Sequence, residues 1–263
     1  MDLNLKGKIA AVMGSSKGLG FEAARFLLMD DATVIINSRN EVNLALARKK
    51  LETENGKNIY SIVGDVTKPE FANYFAEEIG RQFLHLDILI TNAGGPPPAP
   101  FESITDDIWY EAIESSFLSH VRMIRACLPL LRKSETASVL TITSYSVKQP
   151  IPNLVLSNAI RSATIGLTKT LALELGKDGI RFNSILPGWT KTERVNDLMN
   201  SRAEKNATST EEELAKQAAE SPLGRLAEPE EFAKVAVFLA SPAASYLTGT
   251  MLSVDGGMVK GVF

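Results

Sequence analysis

Short apolar runs alternate with longer amphipathic stretches along almost the whole chain, and this alternation limits the possible folds more than any single motif. Lys8 to Met13 (KIAAVM), Ala32 to Asn37, Asn58 to Val63, Asp87 to Thr91, Ser138 to Ile142, Ile180 to Leu186 and Thr250 to Val254 each read as a strand. Between them, apolar residues at three- and four-residue spacing predict a helix ending near Leu28, then helices over Glu41 to Glu54, Pro69 to Phe83 and Pro229 to Leu239. Thr105 to Leu131 reads as one long helix or two joined ones, and another helix follows Pro152 and runs to Leu175. Strands that are uninterrupted apolar runs, separated by helices, form a parallel sheet covered on both faces. The expected fold is therefore α/β and doubly wound, with ligands bound at the C-terminal ends of the strands. Residues 191–220 break the alternation: they are polar and rich in Glu, Lys and Ala, and read either as a lid inserted beside the site or as a plain pair of surface helices.

The chain has 263 residues, 44% hydrophobic and 22% charged, enough to bury the core of one large α/β domain spanning 1–263. Its net charge of -3 and the lack of a basic run remove the electrostatic attraction behind most nucleic-acid binding. No apolar stretch approaches the roughly 20 residues of a membrane helix, and the start MDLNLKGK lacks a secretory pattern, so a cytoplasmic protein is expected. Cys127 stands alone within an apolar helical pattern, as a small buried hydrophobe would. Two histidines, His85 and His120, with no HExxH or Cys/His cluster, leave little for a metal site or a serine-histidine triad.

The turn after the first strand reads Gly14-Ser15-Ser16-Lys17-Gly18-Leu19-Gly20. Glycines there let backbone N–H groups and a helix N-terminus meet a pyrophosphate. At the end of the second strand an NAD-selective site would carry an acid, yet the residues are Asn37-Ser38-Arg39. Ser38 as a donor, with Arg39 and Lys17 as cations, suits a ribose 2′-phosphate and predicts NADP(H) as cofactor. Asp65-Val66, Asn92-Ala93-Gly94-Gly95 and Pro187-Gly188 with Thr192 all fall at predicted C-terminal strand ends. In the helix after Pro152, Ser157, Arg161, Thr164 and Thr168 share one face while Ile160, Ala163, Leu167 and Leu171 share another. By itself such a polar stripe reads as a solvated surface.

Taken together, GSSKGLG, NSRN, Asp65-Val66, NAGG, the Ser144 segment, LPGWTKT, SPLGRLAEPEEFAKVAVFLAS and VDGG resemble the short-chain dehydrogenase/reductase family over essentially the whole chain, and within it the 3-oxoacyl-acyl-carrier-protein reductase-like branch. The resemblance implies a Rossmann-type domain with a seven-stranded parallel sheet. It also implies a homodimer or homotetramer built on the long helices, and a small-molecule or acyl-carrier-linked carbonyl substrate. It places Gly14, Lys17, Gly18 and Leu19 at the pyrophosphate, Asp65 and Val66 at the adenine, Asn92, Ala93 and Gly94 at the ribose, and Pro187, Gly188, Thr190 and Thr192 beside the nicotinamide. Met13 stands where the family usually has a threonine tying the turn to the fourth strand, so a looser turn is expected; Gly95 departs harmlessly from the commonest NAGx.

The family's tetrad is Asn, Ser, Tyr and Lys. Here Ser144 is present, Ser157 occupies the tyrosine position, Arg161 the lysine position and Ser116 the asparagine position. A serine hydroxyl is far less acidic than a phenol, and an arginine does not relay protons at neutral pH. Tyr145 is a candidate replacement donor, though a tyrosine on a strand-end loop is also a common packing residue. Three functions remain open: an NADP(H)-dependent oxidoreductase with an altered tetrad, a non-catalytic protein that binds the cofactor for structure or redox sensing, and chemistry without redox change in the same pocket.

Overall fold

The computed structural model describes residues 1–56 and 58–262. Its strands are β1 (Ile9–Val12), β2 (Thr33–Ser38), β3 (Ile59–Val63), β4 (Ile88–Thr91), β5 (Ser138–Ile142), β6 (Arg181–Pro187) and β7 (Met251–Val254). Among the described residues they form one seven-stranded sheet in the order β3-β2-β1-β4-β5-β6-β7, and each neighbouring pair is parallel. The helices are α1 (Gly18–Met29), α2 (Glu41–Asn55), α3 (Pro69–Gln82), α4 (Asp106–Ile113), α5 (Ser119–Leu131), α6 (Val155–Leu175), α7 (Glu193–Asn206), α8 (Thr210–Ala219) and α9 (Pro229–Ala240).

The sheet has a core on each side. Val12, Ile36, Ile90 and Leu140 pack with Leu27, Phe232 and Val237 of α1 and α9 on one face. Ala11, Ile35, Leu89 and Val139 pack with Phe75, Ile124 and Cys127 of α3 and α5 on the other. Successive strand residues thus feed opposite cores, which is why the strands read as continuous apolar runs. Burial pushes the Cys127 thiol up to about 12, in keeping with its role as a small hydrophobe. Strand order reverses between β1 and β4, opening the crevice in which doubly wound folds bind ligands.

The stretch read as one helix or two is α4 and α5 joined by a π-helical turn at Glu114–Leu118. Ser116 sits in that turn, buried, with its hydroxyl donating to the Gly94 carbonyl at 3.3 Å. The extra residue lets the turn reach the Asn92–Gly95 loop, a use to which π turns are often put. Residues 191–220 form the pair α7 and α8, the latter started by a capping box between Ser209 and Glu212.

The α6 stripe, a solvated surface by its spacing alone and a pocket wall by the family resemblance, faces inward. Arg161, Thr164 and Thr168 are buried, whereas Ala163 of the apolar face is exposed and Leu167 half-buried. Polar partners explain the inversion: Thr168 and Ser184 both share hydrogen bonds with Thr141 at 3.1 and 2.6 Å, and Thr164 donates to the Ser116 carbonyl at 3.1 Å. Satisfied hydroxyls can face the sheet without the desolvation penalty of orphaned ones.

Candidate active site

The glycine turn lies between β1 and α1. Gly14 and Gly18 take φ values of 58° and 60°, a region costly for residues with a Cβ. Gly20 is needed for a different reason: a Cβ there would stand 2.6 Å from the Gly14 carbonyl oxygen. The expected looseness from Met13 is not what the structure has. Met13 is buried, its backbone N–H donates to the Ile90 carbonyl at 2.9 Å, and the Asn92 side chain donates to the Gly14 carbonyl at 3.3 Å. Asn92 thereby ties the turn to the end of β4.

At the end of β2, the half-buried Ser38 accepts from the Ser16 hydroxyl at 3.1 Å, and Arg39 is 77% exposed, its guanidinium 4.0 Å from Asp65. Asn37, buried, donates to the carbonyls of Ile62 and Gly64, both at 3.0 Å, clamping the ends of β2 and β3 together. Asp65 in turn caps the following turn by accepting from the Thr67 backbone and hydroxyl, with Val66 beside it. Lys17 departs from the cluster expected with Ser38 and Arg39: its ammonium pairs with Glu193 of α7 at 2.5 Å. Thr192, the N-cap of α7, comes within 3.7 Å of the place a Cβ on Gly18 would take. The first turn of α7 therefore leans on the glycine turn around Gly18 and Leu19.

The opposite wall comes from the ends of β5 and β6. Pro187 pairs with Val254, and Gly188 packs so tightly that a Cβ would lie 2.6 Å from the Asp255 Cα. Thr190 is buried and donates to the Gly188 carbonyl at 3.4 Å. Ser144, half-buried just past β5, accepts from the Ser146 N–H at 3.1 Å. Its neighbour Tyr145 belongs to a cluster with Trp189, Met199, Leu226 and Met258. The Tyr145 hydroxyl accepts from Trp189 Nε1 at 2.9 Å, and burial drives the phenol up to about 12. Of the two roles weighed for Tyr145, this geometry is that of the packing residue.

Arg161 is the centre of the arrangement. Its Nη1 donates to the carbonyls of Ile142 and Thr143 at 3.4 and 3.1 Å, and its Nε to Ser157 Oγ at 3.2 Å. Burial, and then the nearby Arg194, lower its pKa to about 10, which leaves it charged at neutral pH. His120 lies behind it, hydrogen-bonded to Thr91 at 2.7 Å; burial and then Arg161 push it down to about 3, so it is neutral. No group of acidic, Cys and His residues fit for a metal is present among the described residues.

Two features escaped the sequence reading. Arg194, in the first turn of α7, donates from Nη2 to the Pro96 carbonyl at 3.2 Å. Gly95 lies under two side-chain ends: a Cβ on it would be 2.5 Å from Arg194 Nη2 and 3.0 Å from Arg161 Nη2. A second consecutive glycine in the Asn92 loop was the signal that something must approach its backbone closely.

A family model described as enoyl-(acyl carrier protein) reductase matches residues 13–259. The 3-oxoacyl-[acyl-carrier-protein] reductase of Vibrio harveyi is 33% identical over 258 residues, covering 97% of this chain and 99% of its own. The chain belongs to the short-chain dehydrogenase/reductase family. Among solved structures, the L-sorbose reductase of Gluconobacter frateurii complexed with NADPH and L-sorbose has a TM-score of 0.95 at 30% identity, with 100% of both chains covered. An NADPH-bound short chain oxidoreductase from Pseudomonas aeruginosa PAO1, described as containing an atypical catalytic center, has a TM-score of 0.88 at 31% identity, covering 97% of this chain and 98% of its own. Both likenesses extend over the whole sheet, so the crevice described above lies where the family's fold opens.

Proposed function

We propose that the protein is an NADP(H)-dependent oxidoreductase that interconverts a carbonyl and an alcohol on a small molecule, of the 3-oxoacyl kind or similar, with an altered tetrad. The observation that carries this reading is the placement of Arg161, which joins Ser157 to the end of β5 beside Ser144. Gly14, Ser16, Lys17, Gly18, Leu19 and Gly20 would cradle the pyrophosphate at the N-terminus of α1, in a turn whose tight course depends on the lack of a Cβ at Gly20, 2.6 Å from the Gly14 carbonyl oxygen. Asp65 and Val66 would hold the adenine, Asn92, Ala93, Gly94 and Arg161 the ribose, and Pro187, Gly188, Thr190 and Thr192 the nicotinamide. Ser38 and Arg39 would meet a 2′-phosphate, a guanidinium matching its oxygens in pairs.

When bound, the nicotinamide supplies or accepts the hydride. The chain's own work is positional and electrostatic. Ser144 and Ser157 would donate hydrogen bonds to the substrate oxygen, and the Arg161 charge would stabilise the negative charge that develops there. Since serine is a poor acid, the proton comes from solvent through these hydroxyls, and turnover is slower than with a positioned phenol by about 10²- to 10⁴-fold. Ser116 holds the Asn92–Gly95 loop through its bond to Gly94 rather than touching substrate. Residues 191–220 would serve as the substrate-side lid, α7 resting on the glycine turn through the Lys17–Glu193 pair.

Exposed apolar residues on the long helices, Tyr110 at 67% and Leu173 at 77%, support a homodimer or homotetramer. We place it in the cytoplasm; no described helix is long and apolar enough to cross a membrane.

The sequestered phenol of Tyr145 favours a second reading, a cofactor-binding protein without turnover. Steady-state NADPH consumption over a panel of carbonyl compounds separates the two. The oxidoreductase reading expects substrate-dependent consumption that falls at least tenfold in Ser144→Ala. Tight NADPH binding with no turnover on any compound favours the second reading.

A further inference from the structure

Arg161 and Arg194 converge on Gly95. Their Nη2 atoms lie 3.0 and 2.5 Å from one point, the place of a Cβ on Gly95, so they are no farther apart than the sum of those distances. One is delivered by α6 and the other by α7, two elements distant in sequence that converge only at this cleft. Among the described residues neither guanidinium forms an ion pair, although most of the surface arginines do. Asp197, one turn along α7, offsets part of the Arg194 charge without an ion pair. Arg161 Nη1 and Nε are engaged by Ile142, Thr143 and Ser157, and Arg194 Nη2 by Pro96, which leaves Arg161 Nη2 and Arg194 Nη1 for something else.

Two like charges held together on a half-enclosed surface repel each other and favour an anion between them. Guanidinium groups are suited to a carboxylate, whose oxygens could accept from the free Arg161 Nη2 and from the free Nη1 of Arg194. The cofactor does not supply that anion: its pyrophosphate belongs to the Gly14–Gly20 turn and its 2′-phosphate to Ser38 and Arg39, while its nicotinamide end carries no negative charge.

We propose that Arg194, together with Arg161, binds a carboxylate of the substrate, so that the enzyme acts on free oxo acids and their hydroxy acids, with the carboxylate a few bonds from the reacting carbon. This rests on the oxidoreductase reading and narrows it, since a carrier-linked thioester is neutral at that position. In the reducing direction the carbonyl carbon gains a hydride from NADPH, which leaves as NADP⁺. The carbonyl π pair moves onto oxygen, which takes one proton that solvent delivers through the Ser144 and Ser157 hydroxyls. Arg194 selects the substrate, and Arg161 both selects it and stabilises its developing charge.

The test compares 2-oxo and 3-oxo acids with their methyl esters as substrates, in the wild type, Arg194→Gln and Arg194→Lys. Beside it, calorimetry follows oxamate, a non-reducible carboxylate, and inorganic phosphate, with and without NADP⁺. Acids are expected to exceed esters in kcat/KM by about 10- to 100-fold, the scale of losing charge-assisted hydrogen bonds. Arg194→Gln should bring that ratio near one and abolish oxamate binding, and Arg194→Lys should keep part of both. Esters reduced as well as acids, with no oxamate binding, would overturn the carboxylate site and leave the oxidoreductase reading standing. Arg194-dependent oxamate binding with no carbonyl reduced would sustain the site and sink that reading. Phosphate binding tighter than oxamate would overturn the assignment to a carboxylate.

Discussion

Arg161 donates from Nε to Ser157 Oγ across 3.2 Å, one turn along the same helix, and with the same side chain grips two carbonyls at the end of β5. The bond aligns the hydroxyl that stands where the family has its phenol, and the carbonyl contacts make the buried charge tolerable. The pair thus acts as one rigid unit rather than as two flexible surface residues, which is the physical basis for placing chemistry on it.

Cofactor choice depends on Arg39. The residue is 77% exposed and only 4.0 Å from Asp65, a contact too loose to hold the side chain for structure alone. Arg39→Ala should weaken NADPH by about 10- to 100-fold while NADH affinity stays within twofold, as the loss of a charge-assisted phosphate contact requires. Fluorescence titration with both nucleotides reads this directly, and equal losses for the two would remove the 2′-phosphate assignment.

Gly20→Ala places a methyl group 2.6 Å from the Gly14 carbonyl oxygen, a fixed backbone atom, and 3.1 Å from the Asn92 Nδ2 that is hydrogen-bonded to it. Neither can yield without moving the turn. NADPH affinity should drop by about tenfold or more, with a stability loss of about 1–3 kcal/mol from overpacking. Unchanged affinity would mean that the turn does not hold the dinucleotide.

Asp87 lies at the other end of the sheet. It accepts from the Ile9 backbone at 2.8 Å and from Ser134 at 2.5 Å, with His85 at 3.1 Å. Asp87→Ala leaves the buried Ile9 N–H without its partner, while the half-buried Ser134 and His85 can turn to water, and should cost about 1–3 kcal/mol in urea unfolding. Because the crevice opens at the C-terminal strand ends, NADPH affinity of the folded variant should be unchanged.

His120 predicts a pH dependence of stability. Its folded pKa is about 3 against an ordinary 6.5, so between those values the unfolded chain binds the proton and the folded one does not. Stability is present above pH 6.5 and is lost as pH falls toward 3, at up to about 1.4 kcal/mol per pH unit from this residue. Urea unfolding at pH 7 and 5 should show a smaller fall in His120→Gln than in the wild type. Equal falls would show that the folded His120 takes up protons as readily as the unfolded one, its pKa not depressed.

The strand pattern was legible because the five inner strands, β2, β1, β4, β5 and β6, are almost wholly buried on both faces, and the Ser144, Ser157 and Arg161 positions came from laying the family's pattern over one segment. What could not be read depends on contacts between distant segments. Thr164 and Thr168 look like surface residues until Ser116, Thr141 and Ser184 arrive from elsewhere to satisfy them. Lys17 looks free to meet a phosphate until Glu193 comes in from α7. Arg194 sits in the one region without strand-helix alternation, so nothing local marked it as part of the cleft. Tyr145 resembled a proton donor by letter and neighbourhood, and Trp189, more than 40 positions on, is what occupies its hydroxyl.

The central claim, that this cleft carries out reduction with serines and an arginine, is tested most directly by isotope transfer. NADPH deuterated at both C4 positions is incubated with the protein and a carbonyl substrate, and the product is analysed by mass spectrometry. One deuterium on the new carbinol carbon is expected, formed at least tenfold more slowly by Ser144→Ala and Arg161→Met. Tight NADPH binding with no deuterium in any product, or transfer unaffected by both substitutions, would contradict the account.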